Sequence, residues 1–363
     1  MSAALRAQVA VIGGGPAGAV TALLLARAGV DVLLYERSRY ADFRLGETLP
    51  PSLNPYLRQL GLWDRFQSLG SIPSYETASA WGDNAPRERS FLFSPYGHGW
   101  HVDRARFDAM LADTAESAGV RVIRAQRVSE VRRAGSGFTV HAAEDASVHC
   151  IVDATGRVAR FAKKLGGQRE PFDRLVCAAR VVAHAEQPVG DTFIEAEANG
   201  WWYASPLPDG RRLVAIFADA GQAVRAHLST VAGWNAALAA TTHVRKLVDG
   251  AAQAPVHMVS CASHELRPAL GEGWIAVGDA ALAVDPLSSG GVTFALRSAI
   301  AASAVLLGGA RSAYAELVTS AAAEYRQVRA QIYGWEDRFA GHEFWRSRAG
   351  ETGEAAAVPT FNV

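Results

Sequence analysis

Three glycines and a glutamate near the start of the chain have the spacing of a dinucleotide-binding turn. Gly13, Gly15 and Gly18 follow an apolar run in the pattern G-x-G-x-x-G, and Glu36 lies 18 residues beyond the last of them. Such a turn lets the backbone and a helix N-terminus approach a pyrophosphate, while the acid accepts hydrogen bonds from ribose hydroxyls. The pattern therefore predicts a bound dinucleotide, with Arg37 beside the acid as a further contact.

A second pairing of glycine with an acid lies between residues 274 and 300. Four apolar residues run into Gly278 and Asp279, and after a polar turn Gly290 and Gly291 stand where a helix begins. Folding alone does not require an acid at the end of a strand or paired glycines at the start of a helix. We therefore expect Asp279 and the two later glycines to contact a ligand. The alternative is a capped turn followed by an ordinary helix.

The elements that must position these residues alternate between strand and helix. The sequence predicts a strand over 9–12, a helix over 16–28 and a strand over 32–35, and later a helix over 104–118 and a strand that stops at 154–156. Strands that alternate with helices favour a parallel sheet with helices on its faces. Because the first turn carries the glycine pattern, this Rossmann-like lobe should bind the dinucleotide.

The middle of the chain has a different pattern. Apolar and polar residues alternate over 171–268, with a Pro-Asp-Gly turn at 208–210, and the stretches 75–82 and 90–97 are similar. This pattern predicts an antiparallel sheet that forms a substrate lobe. The expected fold is α/β in the first lobe and α+β overall. We assign 1–70, 96–170 and 269–310 to the dinucleotide lobe, 71–95 and 171–268 to the substrate lobe, and 311–363 to a C-terminal helical segment and tail.

Composition excludes several classes of function. The 363 residues carry 36 basic and 36 acidic side chains, and this balance argues against nucleic acid as the partner. No apolar run is long enough to span a membrane, and the N-terminus lacks a cleavable signal pattern. The three cysteines form neither a metal-spaced pair nor a disulfide framework. We therefore expect a soluble cytoplasmic protein without a metal site.

The dinucleotide itself is indicated by a resemblance. Residues 8–37, 96–165 and 272–305 together resemble the FAD-binding fingerprint of flavoprotein monooxygenases built like p-hydroxybenzoate hydroxylase. The resemblance implies that FAD is the cofactor and that Asp279 binds its ribitol.

The same resemblance implies roles for four further residues. Gly290 and Gly291 would let a helix N-terminus approach the pyrimidine edge of the flavin, where reduction places negative charge. Arg104, at the start of its helix, and Arg44, ahead of Leu45, match arginines of the family, and the second of these would lie along the flavin.

Part of the sequence is similar to flavin-dependent halogenases. The stretch GWWYASP partly matches their motif W-x-W-x-I-P, and VDPLSSGGV is also halogenase-like. Those enzymes need a lysine between flavin and substrate, in the segment that matches YETASAWG. Here lysine first occurs at Lys163, and Ser288 stands where tryptophan halogenases have a glutamate. These two departures argue against halogenation.

A more extensive resemblance is to the flavoproteins that mature cysteine tryptophylquinone amine oxidases and dehydrogenases. It spans nearly the whole chain and includes RLGETLPPSLNPYLRQLGL, PYGHGWHVDRARFDAML and GWWYASPLPDG. It implies hydroxylation of a tryptophan in a partner protein, a subunit of a quinone-cofactor enzyme, through a flavin C4a-hydroperoxide. O₂ would be the co-substrate, and NAD(P)H or a separate flavin reductase would supply the reducing equivalents.

Other functions use the same fold. Relatives act on small or carrier-bound aromatic rings, and a halogenase, a dehydrogenase or a reductase of the geranylgeranyl type would use the same cofactor lobe. A scaffold that holds FAD and delivers a partner enzyme without turnover is a further alternative. No second glycine fingerprint is visible for the stable nicotinamide domain that reductases of the disulfide type carry.

Aromatic hydroxylation needs a base for the ring proton, a positioned ring and exclusion of water. Glu47, His98 and His101 are the candidate bases, although each histidine is also explained as a turn or core residue. Trp201 and Tyr203 would share one face of a strand and could bind an aromatic substrate; the alternative is that they fill a core. For a polypeptide substrate we expect this face to flank an open groove.

Overall fold

The computed structural model describes residues 5–183, 192–248 and 254–349, without the side chain of Ser288. The α-helices of these residues are α1 Pro16–Arg27, α2 Asn54–Gln59, α3 Trp63–Gln67, α4 Arg104–Ser117, α5 Ala220–Arg225, α6 Val231–Ala240, α7 Gly291–Leu306, α8 Arg311–Gly334 and α9 Glu343–Ala349. Short 3₁₀ turns lie at Pro51–Leu53, Gly156–Val158, Val244–Leu247, Gly278–Ala280 and Pro286–Ser288.

The strands of the described residues are mostly short. They are β1 Leu5–Arg6, β2 Val9–Ile12, β3 Val32–Tyr35, β4 Thr48–Leu49, β5 Ile72–Ser74, β6 Glu76–Ala80, β7 Arg87–Ser90, β8 Gly99–His101, β9 Arg121–Ile123, β10 Glu130–Ala134, β11 Gly137–His141, β12 Ala146–Val148, β13 Cys150–Asp153, β14 Gln168–Pro171, β15 Leu175–Val182, β16 Thr192–Glu197, β17 Gly200–Pro206, β18 Arg212–Asp219, β19 His257–Ser260, β20 His264–Arg267, β21 Leu270–Gly271, β22 Trp274–Ala276 and β23 Leu282–Ala283.

A parallel sheet forms the centre of the first lobe. Strands β22, β13, β2, β3 and β9 run parallel in that order, and β21 adds an antiparallel edge. All five parallel strands point their carboxyl ends to the same edge of the sheet. The turns after β2, β3, β13 and β22 therefore meet there, which is where open α/β sheets bind ligands. The predicted strands 9–12 and 32–35 are confirmed, and the helix predicted over 16–28 ends one residue earlier.

A seven-stranded sheet forms the second lobe. Its order is β19-β15-β18-β17-β16-β6-β7, and every neighbouring pair is antiparallel except β16 and β6. The predicted turn at 208–210 joins β17 to β18, and Gly210 adopts a φ of +82° in it. The predicted antiparallel sheet is therefore confirmed, apart from one parallel pairing.

Three segments assigned to this lobe from the sequence do not belong to the seven-stranded sheet. Of the predicted stretch 90–97, only residue 90 lies in a strand, at the end of β7, because residues 91–97 form turns around Pro95. Residues 72–74 pair with β8 in a separate three-stranded sheet, and 264–267 pairs with β14 and β23 in another. These corrections concern short strands at the border between the two lobes.

The C-terminal helix α8 joins the two lobes. Near its start Tyr314 is buried in the core of the parallel sheet, and near its end Tyr333 is buried in the core on one face of the seven-stranded sheet. A helix of 24 residues extends about 36 Å, which is long enough to contact both. The predicted C-terminal helical segment is therefore present, and residues 350–363 of the assigned tail lie outside the described residues.

Candidate active site

The glycine turn after β2 combines two crowded positions with one open position. Gly13 has a φ of +113°, and a Cβ there would lie 2.1 Å from the carbonyl oxygen of Ala154. A Cβ on Gly18 would lie 1.9 Å from the carbonyl oxygen of Gly13, so this glycine lets α1 pack tightly on the turn. A Cβ on Gly15 would meet no protein atom within 4 Å. The first two glycines are required by the fold, whereas the third leaves space for a ligand.

Glu36 organises the acid end of this turn. Its carboxylate accepts hydrogen bonds from the backbone N–H of Gly14, at 2.8 Å, and from the backbone N–H and hydroxyl of Ser38. Burial raises the pKa of the Glu36 carboxyl, but these hydrogen bonds and the Arg44 guanidinium outweigh it and lower the pKa. Glu36 is therefore a carboxylate at neutral pH, as an acceptor for ribose hydroxyls must be. The neighbouring Arg37 is exposed.

Arg44 and Arg104 meet on a buried carboxylate that the sequence reasoning missed. Arg44 lies 2.7 Å from Asp108 and 3.1 Å from Glu36, and Arg104 lies 3.1 Å from Asp108. Arg104 also donates to the carbonyls of Leu45 and Gly46. Arg44 therefore contacts the acid that is predicted to bind ribose, and its position along the flavin stays a prediction. The i,i+4 spacing of Arg104 and Asp108 on a predicted helix was the available signal.

Asp279 lies where β22 ends, at the same edge of the sheet. Its carboxylate is 3.3 Å from Nε of Arg157, and its side chain keeps 31% of its surface exposed. Arg157 is fixed by three backbone carbonyls, those of Cys261, Ala262 and Val284. Asp279 is therefore oriented by a rigid partner while part of it stays open to a ligand. Arg157, directly after the glycine turn at 154–156, was not predicted.

The turn before α7 is held in place by Asp285. One carboxylate oxygen accepts from the backbone N–H of Leu287 at 2.8 Å, and the other accepts from the Tyr333 hydroxyl at 2.7 Å. Gly291 begins α7, and a Cβ there would meet no protein atom within 4 Å. The N-terminus of α7 thus leaves space for a ligand beside Gly291, and flavin binding there stays a prediction.

The residues present fit FAD. An open glycine position at the start of α1, an ionised acid after β3 and a half-exposed acid after β22 lie along one sheet edge. The structure thus brings the predicted cofactor residues of the two glycine-acid pairs together at this edge. Within the described residues no group of three or more His, Cys, Asp and Glu side chains is arranged to hold a metal ion.

A buried network of hydroxyl groups links two of the candidate bases. The Tyr203 hydroxyl donates to Glu47 at 2.6 Å and lies 2.6 Å from the Thr48 hydroxyl. The Thr48 hydroxyl lies 3.1 Å from Nδ1 of His101, and the Ser205 hydroxyl is also 3.1 Å from that nitrogen. Burial, followed by the charge of Glu47, raises the pKa of Tyr203 well above its usual value, so its phenol stays neutral. Thr48 and Ser205 were not singled out from the sequence.

His98 does not join this network in the structure. Its Nδ1 lies 2.8 Å from the carbonyl oxygen of Gly99, and its ring packs between those of Tyr75 and Trp100. These contacts are those of a histidine that shapes a turn, which was the alternative to a catalytic role.

The strand alternation predicted for β17 is confirmed, but the role of Trp201 is corrected. Trp201 and Tyr203 face one side of the sheet and Trp202 the other. Trp201 is 1% exposed, stacks on Phe217 at 4.0 Å and donates from Nε1 to the Tyr333 hydroxyl. Because α8 and α9 cover this ring, it belongs to the core and does not flank an open groove.

Comparison with known proteins identifies the family. Residues 6–335 match the family model described as FAD binding domain. The chain belongs to this family. LodB of Marinomonas mediterranea, named as an FAD-dependent oxidoreductase, is 30% identical over 357 residues that cover 93% of this chain and 95% of LodB.

Two solved structures show how the family fold is used. The flavin-dependent halogenase CmlS has a TM-score of 0.85 and 28% identity, covering 96% of this chain and 68% of its own. QhpG, a peptidyl tryptophan dihydroxylase essential for tryptophylquinone cofactor biogenesis, has a TM-score of 0.80 and 27% identity. The match covers 97% of this chain and 80% of QhpG. The protein is therefore an FAD-dependent enzyme of the monooxygenase and halogenase superfamily, with the predicted α/β fold class. No helix among the described residues is both long and apolar enough to cross a membrane.

Proposed function

We propose that the protein is an FAD-dependent monooxygenase that hydroxylates a tryptophan side chain of a partner polypeptide, a subunit of a quinone-cofactor enzyme. The observation that carries the choice of hydroxylation is the position of the lysines. Lys163, Lys164 and Lys246 are the only lysines of the chain, and all three are exposed. The buried site between the lobes instead contains the carboxylate of Glu47 and the imidazole of His101.

A carboxylate and an imidazole suit proton transfer during aromatic hydroxylation. When bound, FAD supplies the activation of O₂, with electrons from NAD(P)H or a separate flavin reductase. Leu45, two residues before Glu47, and Leu287 of the turn that precedes α7 pack against the same hydrophobic cluster. The burial of Glu47 keeps bulk water away from the proton transfer.

An exposed apolar loop supports a polypeptide as the substrate. Leu92 and Phe93 are 80% and 92% exposed, and Tyr75 is 60% exposed. Exposed apolar groups that cluster on a folded chain are typical of an interaction surface. The ring of Tyr75 lies 5.2 Å from that of His98, which immediately precedes β8, the strand that carries His101. A partner bound to this loop would therefore be connected through one short strand to the buried network.

The similarity to QhpG supports the same substrate class. Its name describes a peptidyl tryptophan dihydroxylase, and the likeness extends over 97% of this chain. A small-molecule or carrier-bound aromatic ring is the second candidate, since a chlorinase of Pseudomonas fluorescens that acts on a pyrrole held by a carrier protein is 24% identical over 82% of this chain.

The test uses the unmodified subunit of a tryptophylquinone amine oxidase as the substrate. Incubation with the protein, reduced FAD and ¹⁸O₂ should add labelled oxygen to one tryptophan of that subunit, detected by mass spectrometry of its peptides. Free tryptophan and simple phenols should remain unmodified, and chloride or bromide should not be incorporated. Oxygenation of a free aromatic ring with the subunit untouched would leave a small-molecule monooxygenase, and a halogenated product would overturn hydroxylation.

A further inference from the structure

We propose that Thr48 and Tyr203 form a proton relay that connects His101 to Glu47 and supplies protons to the reaction. This inference rests on the proposed function, because it assigns a task to the acid–base groups of the hydroxylation site. The relay has four members, which lie in contact in the order His101, Thr48, Tyr203 and Glu47.

The direction of the hydrogen bonds follows from counting protons. A hydroxyl group carries one proton and can donate once. Tyr203 uses its proton on Glu47, so the 2.6 Å contact with Thr48 requires Thr48 to donate to the phenol oxygen. Thr48 then has only lone pairs left for Nδ1 of His101, 3.1 Å away. A hydrogen bond between these two atoms therefore needs a proton on Nδ1, and the relay assigns that proton to Nδ1.

All donors along this line therefore point toward Glu47. A concerted shift would move one proton from Nδ1 to Thr48, one from Thr48 to Tyr203 and one from Tyr203 to the carboxylate. The imidazole takes up a replacement proton from solvent at Nε2, and uptake at one ring nitrogen with release at the other makes histidine a proton shuttle. Three of the four members lie in strands, which fix the positions of their backbones. Thr48 begins β4, His101 ends β8 and Tyr203 lies within β17.

The two ends of the relay are buried, and its two middle members are half-buried. Glu47 and His101 are buried, the Ser205 hydroxyl that flanks Thr48 and Nδ1 has no exposed surface, and Thr48 and Tyr203 keep part of their surface exposed. Since burial and the charge of Glu47 raise the pKa of Tyr203, the phenol keeps its proton and can pass it on only by receiving another. A concerted shift moves a proton along the two hydroxyl groups without leaving a charge on either of them.

The chemistry of hydroxylation consumes such protons. One oxygen atom of O₂ enters the ring as a hydroxyl group and the other leaves as water, so each turnover takes up two electrons and a net two protons. The hydrogen lost from the ring carbon leaves as a proton and is one of the three that end in the hydroxyl group and the water. The electrons come from the reductant named above. Glu47, once protonated through the relay, can give its proton to the oxygen that leaves as water. Glu47 is then a carboxylate again and can accept the next proton from the relay.

The test compares two threonines that touch the same hydroxyl group. Thr48→Val removes the relay hydroxyl while keeping the side-chain shape, and Thr48→Ser restores it. Thr192→Val is the matched control, since the Thr192 hydroxyl lies 3.3 Å from that of Thr48 but outside the line of donors. We expect Thr48→Val and Tyr203→Phe to lower kcat about 10- to 100-fold with KM changed less than about twofold. The kcat of Thr48→Ser, which restores the hydroxyl, and that of Thr192→Val should stay close to the kcat of the unmodified chain.

A second readout does not depend on turnover. In ¹⁵N-histidine NMR spectra of the FAD-bound protein, with His101 assigned by its loss in His101→Gln, Nδ1 of His101 should be protonated. Thr48→Val should shift this imidazole toward the Nε2–H tautomer, and Thr192→Val should not. An unprotonated Nδ1 in the unmodified chain, or equal effects of the two threonine variants, would overturn the relay. If only the proposed function is wrong, the NMR result should still be as expected. Hydroxylation should then be absent in the unmodified chain and in every variant.

Discussion

At Gly15 the fold has space for a side chain, whereas the predicted pyrophosphate does not. Its φ of −72° is ordinary for any amino acid, and a Cβ there would meet no protein atom within 4 Å. We therefore expect Gly15→Glu to fold normally but to lose FAD. Two like charges about 4 Å apart repel by about 4 kcal/mol at a partly buried site, which corresponds to binding weakened by roughly three orders of magnitude. Flavin absorbance after gel filtration, together with the circular dichroism spectrum, measures both properties.

Gly341→Glu is the control for this substitution. A Cβ on Gly341 would also meet no protein atom, but the residue lies between α8 and α9, far along the chain from the glycine turn. It should keep its flavin. Asp279→Ala should also weaken FAD binding without unfolding the chain, because Arg157 retains its three carbonyl partners. Full flavin occupancy of a folded Gly15→Glu protein would contradict this position of the pyrophosphate.

Residue patterns predicted the cofactor acids better than they predicted their partners. Glu36 and Asp279 stand directly after strands, and this placement is visible in the sequence. Asp108 has neither a glycine beside it nor a strand before it, and Arg157 follows Gly156 and β13 but is a basic residue, which a search for acids does not mark. Thr48 illustrates the limit most clearly, because a lone threonine becomes part of a relay only when β8 and β17 bring His101 and Tyr203 to it.

At the scale of elements, strand β17 shows what periodicity can and cannot predict. Alternation placed Trp201 and Trp202 on opposite faces, and the structure confirms it. What covers each face depends on residues more than 100 positions later, since Tyr333, Phe344 and Trp345 come from the C-terminal helices. A substrate face and a covered face have the same local pattern, so the burial of Trp201 could not be derived from its own strand.

The contact of α8 with this strand leads to a stability prediction. The Tyr333 hydroxyl accepts from Trp201 Nε1 at 3.0 Å and donates to Asp285 at 2.7 Å. Tyr333→Phe would leave a buried N–H without its acceptor and a buried carboxylate without its donor. We expect the free energy of unfolding to fall by about 2 kcal/mol or more, measured by urea denaturation with an unchanged m-value.

The same substitution should affect the turn before α7. Because the Asp285 carboxylate also fixes Leu287, loss of Tyr333 loosens the segment that leads into Gly290 and Gly291. FAD affinity should therefore fall in Tyr333→Phe, whereas Tyr56→Phe, a half-buried tyrosine of α2, should change neither property. A Tyr333→Phe protein as stable as the unmodified chain would mean that α8 does not hold this turn.

At the scale of the whole molecule, the two-lobe plan was predictable and the border between the lobes was not. Long alternating or strand–helix patterns indicated the parallel sheet and the seven-stranded sheet. The two three-stranded sheets at the border are built from strands of two to four residues, such as Thr48–Leu49 and Leu282–Ala283. Strands this short have no readable period, and their pairing is decided by the lobes that they connect.

One of these border sheets contains a histidine that should make the stability of the chain depend on pH. His264 lies in β20, between β14 and β23, and has no exposed surface. Burial, together with the positive charges of Arg169 and Arg157, lowers the pKa of His264 from 6.5 to about 4. The imidazole is therefore neutral in the folded chain at a pH where it becomes protonated in the unfolded chain.

The sign of the effect follows from proton binding. Between about pH 6.5 and pH 4 the unfolded chain binds more protons at this position than the folded chain, so acid favours unfolding. From pH 7 to pH 5 the contribution of His264 to the loss of stability should be about 2 kcal/mol. Glutamine does not titrate, so the free energy of unfolding of His264→Gln should fall by about 2 kcal/mol less between pH 7 and pH 5 than that of the unmodified chain. This difference does not depend on how stable the variant is at pH 7. Urea denaturation of both proteins at equal FAD occupancy measures this difference, and equal losses in the two proteins would show that the imidazole is not held neutral.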